Sequence, residues 1–215
     1  MNRTKFLIAA LAVLAMISCS NSNQSLCPDE NHPHMIDLGL PNGTKWACCN
    51  VGAPAPEQYG GFYAWGETEV KSVYDEKHYS HGELSNQIPQ SMGNITSSKY
   101  DAASEKQGSS WQMPSSEQWQ ELIDYCNWKW TTYQGHHGYK VTGPNGNIIF
   151  LPACGEKYNH DERPHQDERG AYWASNLNGK GEPYYLKFHD ASRWVEHTYE
   201  FSPGFSIRAI ASQGN

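Results

Sequence analysis

The chain has 215 residues, 13% of them aromatic, with 8 Trp, 13 Tyr, 19 Gly and 12 Pro. That is room for one domain rich in turns and bulky fillers, and it argues against a helical bundle. The formal charge of −7, with no basic stripe, argues against nucleic acid as a partner.

At the N-terminus Arg3 and Lys5 precede an apolar run from Phe6 to Ile17. These are the charged and apolar parts of a signal peptide, and the run is shorter than the ~20 residues a spanning helix needs. Met16-Ile17-Ser18-Cys19 resembles the lipobox of bacterial lipoproteins, with Met where Leu is usual. The resemblance implies a leader over residues 1–18, a diacylated Cys19 and a tether over 19–34 that starts flexible and polar. No second apolar segment follows, so the membrane is met through lipid alone. Beyond Cys19 stand Cys27, Cys48, Cys49, Cys126 and Cys154. Disulfides are the default in an exported chain, and an odd number leaves one thiol over. Cys48 and Cys49, adjacent in a strand, point to opposite faces, so two separate bridges are expected. The absence of a C-x-x-C pair argues against metal.

The domain proper is placed at residues 35–215. Met35 to Leu40 and Thr44 to Val51 read as a hairpin across Pro41-Asn42-Gly43, where Pro fixes φ and Asn-Gly accepts positive φ. Phe62 to Glu67 reads as a short aromatic strand. Lys71 to Gly108 has little periodicity, and such a long segment is functional or variable. We expect it to carry ligand contacts and to be removable without loss of folding. It includes a glycosylation sequon, Asn94-Ile95-Thr96, discounted behind a bacterial leader. Ser115 and Gln118 form a capping box that opens the single long amphipathic helix. Trp119, Leu122, Ile123 and Cys126 make its apolar stripe, and Gln120, Glu121 and Asp124 point the other way. Tyr139 to Thr142 and Asn147 to Leu151 form a second hairpin across Gly143-Pro144-Asn145-Gly146. Ala171 to Ser175, Tyr184 to Phe188, Trp194 to Phe201 and Ser206 to Ile210 read as closing strands.

In this order, Asp37 to Ala47 (DLGLPNGTKWA), Cys49-Asn50-Val51-Gly52-Ala53, Tyr63 to Thr68 (YAWGET) and Trp111-Gln112-Met113-Pro114 resemble the Fibrobacter succinogenes major paralogous domain. Glu121-Leu122-Ile123, Gly138 to Gly146, Phe150 to Ala153, Tyr172-Trp173 and Ser206-Ile207-Arg208 extend the match to most of the mature chain. That family is abundant in exported proteins of Bacteroidota. The resemblance implies an α+β, C-type-lectin-like fold of twisted antiparallel sheets, one main helix and long loops, distantly similar to formylglycine-generating enzymes. It also implies bridges Cys49–Cys126 and Cys27–Cys48, with Cys154 left as a thiol.

A formylglycine-generating activity needs a reactive cysteine pair near the end of the fold, and the ending Gly204 to Arg208 has none. Calcium-dependent sugar binding of the C-type lectin kind needs a loop such as Glu-Pro-Asn to supply oxygens. Here Glu182-Pro183-Tyr184 fails at the third position. His160 to Glu168 has residue types that suit zinc, but its proline-broken loop favours a solvated segment. His136-His137, expected in a turn, read the same way, and His32 and His34 around Pro33 are weaker metal candidates still. Glu67 reads as a structural carboxylate tying its loop to the core. Trp46, Trp65, Trp111, Trp119 and Trp173 read as core fillers, and Trp128, Trp130 and Trp194 as candidates for exposure. No catalytic residue, metal or cofactor is assigned. The expected function is an outer-membrane lipoprotein, leaning periplasmic, that recognises a polysaccharide or protein ligand. The alternative is an accessory subunit of a fimbrial or polysaccharide-handling surface assembly.

Overall fold

The computed structural model describes residues 26–81, 93–159, 165–198 and 200–212. The leader, Cys19 and the first part of the tether lie outside the described residues. The protein is α+β and mainly β, with antiparallel sheets and few helices.

The first sheet has the order β1-β2-β10-β3, with β1 at Met35–Asp37, β2 at Lys45–Ala47, β3 at Trp111–Gln112 and β10 at Ile210–Ala211. Met35 opposite Ala47 and Asp37 opposite Lys45 set the register of the expected first hairpin. Gly43, at φ +69°, takes the left-handed position that the turn requires. β10 lies between β2 and β3, so the two ends of the domain share one sheet.

The second sheet is a meander of β4 (Asn127–Tyr133), β5 (His136–Thr142) and β6 (Ile148–Pro152). The expected hairpin is its second half. Its first half joins β4 to β5 through Gln134 and Gly135, both at positive φ, the twist that a two-residue hairpin loop needs. His136 and His137 therefore sit in a strand and not in a turn. The third sheet is β7 (Arg169–Leu177), β8 (Pro183–His189) and β9 (Ser192–His197), all antiparallel.

Phe62 to Glu67 does not form a strand. It makes one antiparallel bridge, Tyr63 to Phe205, flanked by Gly60 and Gly66 at positive φ. Of the expected strand Ser206 to Ile210, only Ile210 lies in a strand, because Ser206 makes an isolated parallel bridge to Tyr172.

Two α-helices occur among the described residues, α1 (Ala102–Gln107) and α2 (Ser116–Tyr125). α2 opens on the expected capping box. Ser115 Oγ accepts from Gln118 N at 3.3 Å, and Gln118 Oε1 accepts from Ser115 N at 2.8 Å. Its stripe lands Trp119 against Trp46, with ring centroids 4.6 Å apart, and against Tyr172 at 5.9 Å. Around these rings the core continues through Tyr172–Phe188, Tyr139–Phe188 and Trp173–Phe205. Each fully buried ring of this size stabilises by about 1.5–3 kcal/mol relative to exposure. The indoles are also fastened by hydrogen bonds. Trp119, Trp173, Trp65 and Trp128 donate Nε1–H to the carbonyls of Trp173, Tyr63, Ala174 and Leu122. The five tryptophans expected in the core are buried, Trp128 joins them, and Trp130 and Trp194 are half-buried.

Glu121 departs from its expected outward face and is buried. Its carboxylate accepts from Asn42 N at 2.8 Å and from Thr44 Oγ at 3.2 Å, so it closes the β1–β2 turn against the helix.

Candidate functional site

Three regions gather the polar chemistry. The first is the segment Lys71 to Gly108, described at 71–81 and 93–108. Its first part is latched to the core. Glu67 accepts from Ser80 N at 2.7 Å and Ser80 Oγ at 2.8 Å, and pairs with Lys71 at 2.7 Å. Glu67 is thus the structural carboxylate that the sequence points to. Tyr74 and Tyr79 donate to the Phe62 and Trp65 carbonyls at 2.6 and 2.7 Å. In the second part Asp101 caps α1 and is wholly buried, accepting from the backbone N–H groups of Ser97, Ala103, Ser104 and Met113. Burial holds its carboxyl above the usual range, against the pull of those N–H groups. Tyr74, Tyr79, Ile95, Ala102 and Ala103 all belong to the core. The segment is therefore not removable as a whole, contrary to expectation. Two open clefts border its described residues: one of about 420 Å³ along Tyr74 to Lys77, and one of about 430 Å³ between Gly93-Asn94 and the β7–β8 loop, lined by Asn176, Asn178, Lys180 and the flanking glycines.

The second region joins two histidine segments that the sequence kept apart. Asp167 Oδ1 accepts from Tyr59 OH at 2.7 Å and from His137 N at 3.0 Å, while His136 Nδ1 lies 2.9 Å from Tyr59 OH. The Tyr59 hydroxyl is pushed up by burial and by the Asp167 carboxylate, so it stays neutral and donates. His165 pairs with Glu168 at an exposed position, and residues 160–164 of that candidate metal loop lie outside the described residues. In the Glu182-Pro183-Tyr184 stretch, Glu182 accepts from Asn178 Nδ2 at 2.6 Å and pairs with His197 at 2.9 Å. That carboxylate is engaged in holding its own hairpin.

The third region is at the start of the domain. Cys27, Cys48 and Cys49 form a small buried cluster of their own, against Ile36 and Ala53. Among the described residues no two cysteines are joined as a disulfide. Cys49 Sγ lies 3.5 Å from Cys48 Sγ, and Cys27 hydrogen-bonds the Cys48 sulfur. Cys126, the partner that the resemblance implies for Cys49, packs instead against the main core at the end of α2. Its thiol is pushed up to about 11, first by burial and then by the Glu121 charge. Cys154 is enclosed with Asn50, Tyr172 and the Pro152 carbonyl, and burial raises it. Burial disfavours the thiolate at both.

Cys48 is the focus of the third region. His34 N donates to its sulfur at 3.1 Å, His32 Nδ1 lies at 3.3 Å and His34 Nδ1 at 3.7 Å. Hydrogen bonds from the Cys27 and Cys49 thiols, then from His34 N–H and His32, hold the Cys48 thiol far below its ordinary value. Cys27 and Cys49 are pushed up as the donors of that arrangement. Beneath the cluster, buried Arg208 donates to the carbonyls of Ala47, Cys48 and Phe150 and to Asn50 Oδ1. A buried cation bonded to neutral oxygens favours a thiolate nearby.

Comparison with protein-family models, with curated proteins and with solved structures found no match.

Proposed function

We propose that this chain is a lipid-anchored, non-enzymatic module of a bacterial cell envelope that recognises a polysaccharide. In this reading it is a C-type-lectin-like member of the Fibrobacter succinogenes major paralogous domain family. The ordered run of motifs from Asp37 to Ile210 supports the family, and the antiparallel α+β architecture is compatible with it.

The observation that carries the reading is the open cleft beside Asn94, at the rim of the segment expected to hold ligand contacts. Side-chain amides and bare glycine backbone both donate and accept hydrogen bonds, which suits a ligand that offers many hydroxyls. A shallow, open site also suits one stretch of a polymer better than a small molecule, which needs enclosure.

The test is a glycan array probed with the full chain in detergent, run with calcium and again with a calcium-selective chelator. The expected result is a chelator-resistant hit that weakens at least about tenfold in the Asn94→Ala, Lys180→Ala double variant, both positions being exposed. A hit unchanged by that variant would place binding elsewhere. A blank array on folded protein would move the assignment to an accessory subunit.

A further inference from the structure

We propose that Cys27, His32, His34 and Cys48 form a four-coordinate site for a divalent metal of the zinc class, which clasps the start of the domain to β2. One ligand atom from each residue lies within 4.8 Å of the other three. Tetrahedral zinc with bonds of about 2.0–2.3 Å to nitrogen and sulfur places its ligand atoms about 3.3–3.8 Å apart. Cys48 Sγ already stands 3.3 Å from His32 Nδ1 and 3.7 Å from His34 Nδ1. The two imidazoles are set edge to face, with centroids 5.4 Å apart, so both can aim at one point.

The surroundings are those of a ligated site. His34 Nε2 lies 3.1 Å from the Asp29 carboxylate, which places the ring proton there and leaves the Nδ1 lone pair toward Cys48. A carboxylate behind a ligating histidine fixes the tautomer and raises the basicity of the ligand. The His34 N–H to Cys48 sulfur bond supports a thiolate. Cys27 and Cys48 are buried and the two histidines half-buried, so the site is reachable from solvent yet shielded. Two sulfurs and two imidazoles select zinc over magnesium or calcium, which take oxygen. Cys48 ligates as the thiolate that its neighbours support, and Cys27 releases its thiol proton to solvent on binding. Two thiolates and two nitrogen lone pairs then fill the coordination shell, and the dication is neutralised. A shell closed by four protein ligands leaves no position for substrate, so the role is structural.

The experiment uses the full chain in detergent, purified without chelator. Metal content is measured by mass spectrometry, and the chain stripped of metal is titrated with cobalt(II). Expected are about one zinc per chain and, with cobalt, a sulfur-to-metal charge-transfer band together with the ligand-field bands of a tetrahedral site. His34→Gln and Cys27→Ser should abolish both signals. Asp29→Asn should keep the spectrum and weaken cobalt binding about 10–100-fold, the usual effect of removing a carboxylate behind a ligand. If Cys27→Ser fails to fold, the half-exposed His32→Gln gives the same reading. The proposal is overturned if the chain, with its thiols reduced, binds neither zinc nor cobalt. A cobalt spectrum without the sulfur band, or one unchanged in His34→Gln, would also overturn it.

Discussion

The surroundings of Trp119 and the surroundings of Cys48 are both buried, and for opposite reasons. Around Trp119 the chain packs Trp46, Tyr172, Trp173, Phe188 and Phe205, none more than 1% exposed, and each bulky ring removes its own area from water. Around Cys48 the cluster is three cysteines against Ile36 and Ala53, too little apolar surface to fix an N-terminal segment by packing. What that edge has instead is soft and basic ligand chemistry. The core should therefore respond to changes of volume and ignore metal and redox conditions, whereas the edge should do the reverse.

The largest effect expected on the core side is from Trp173→Ala. It removes a fully buried indole and its bond to the Tyr63 carbonyl, and should cost about 3–5 kcal/mol by denaturant unfolding. Next is Asp101→Ala, which leaves the N–H groups of Ser97, Ala103, Ser104 and Met113 without their acceptor. A loss of about 2–4 kcal/mol is expected, and one under about 0.5 kcal/mol would show that water replaces the carboxylate. Ser115→Ala removes the cap of α2 and should cost about 1 kcal/mol in the same assay.

The smallest effect is a pH dependence. Burial opposes ionisation of Glu196, but hydrogen bonds from Tyr185 and Trp194 and the Lys187 charge outweigh it and hold the carboxyl below its ordinary value. A depressed acid contributes stability above its unfolded pKa and loses it as pH falls through the folded one. Melting followed from neutral pH into the acid range should therefore fall less steeply in Glu196→Gln than in the wild type. The site is about a third exposed, so solvent screening keeps the difference small.

How much of this was legible in the sequence follows the same division. The cap of α2 and both hairpin turns are local chemistry, written in Ser115–Gln118 and in two Pro-Asn-Gly runs, and they fold as read. β4 was hidden because Trp128 and Trp130 follow the helix stripe directly, with no glycine or proline to mark the change of period. α1 is six residues, too short for a helical period, and only the Asp101 N-cap could have signalled it. Glu121 was placed outward because periodicity sees a helix face and not the Asn42 and Thr44 donors brought to it from 77–79 positions away. The cysteine and histidine cluster was hidden for a related reason. His32 and His34 belong to no strand or helix, and Cys48 reaches them only once the β1–β2 hairpin closes. The cleft at Asn94 likewise depends on β7–β8 bringing residues 176–181 beside a segment far away in sequence.

Hydrogen exchange on the full chain in detergent, with zinc and again with a strong zinc chelator, tests the contrast between core and edge most directly. Chelation should lower protection at least about tenfold at residues 27–37 and 45–48 and leave the β7 and β8 amides unchanged. Equal protection in both conditions, or a loss spread evenly through β7 and β8, would contradict it.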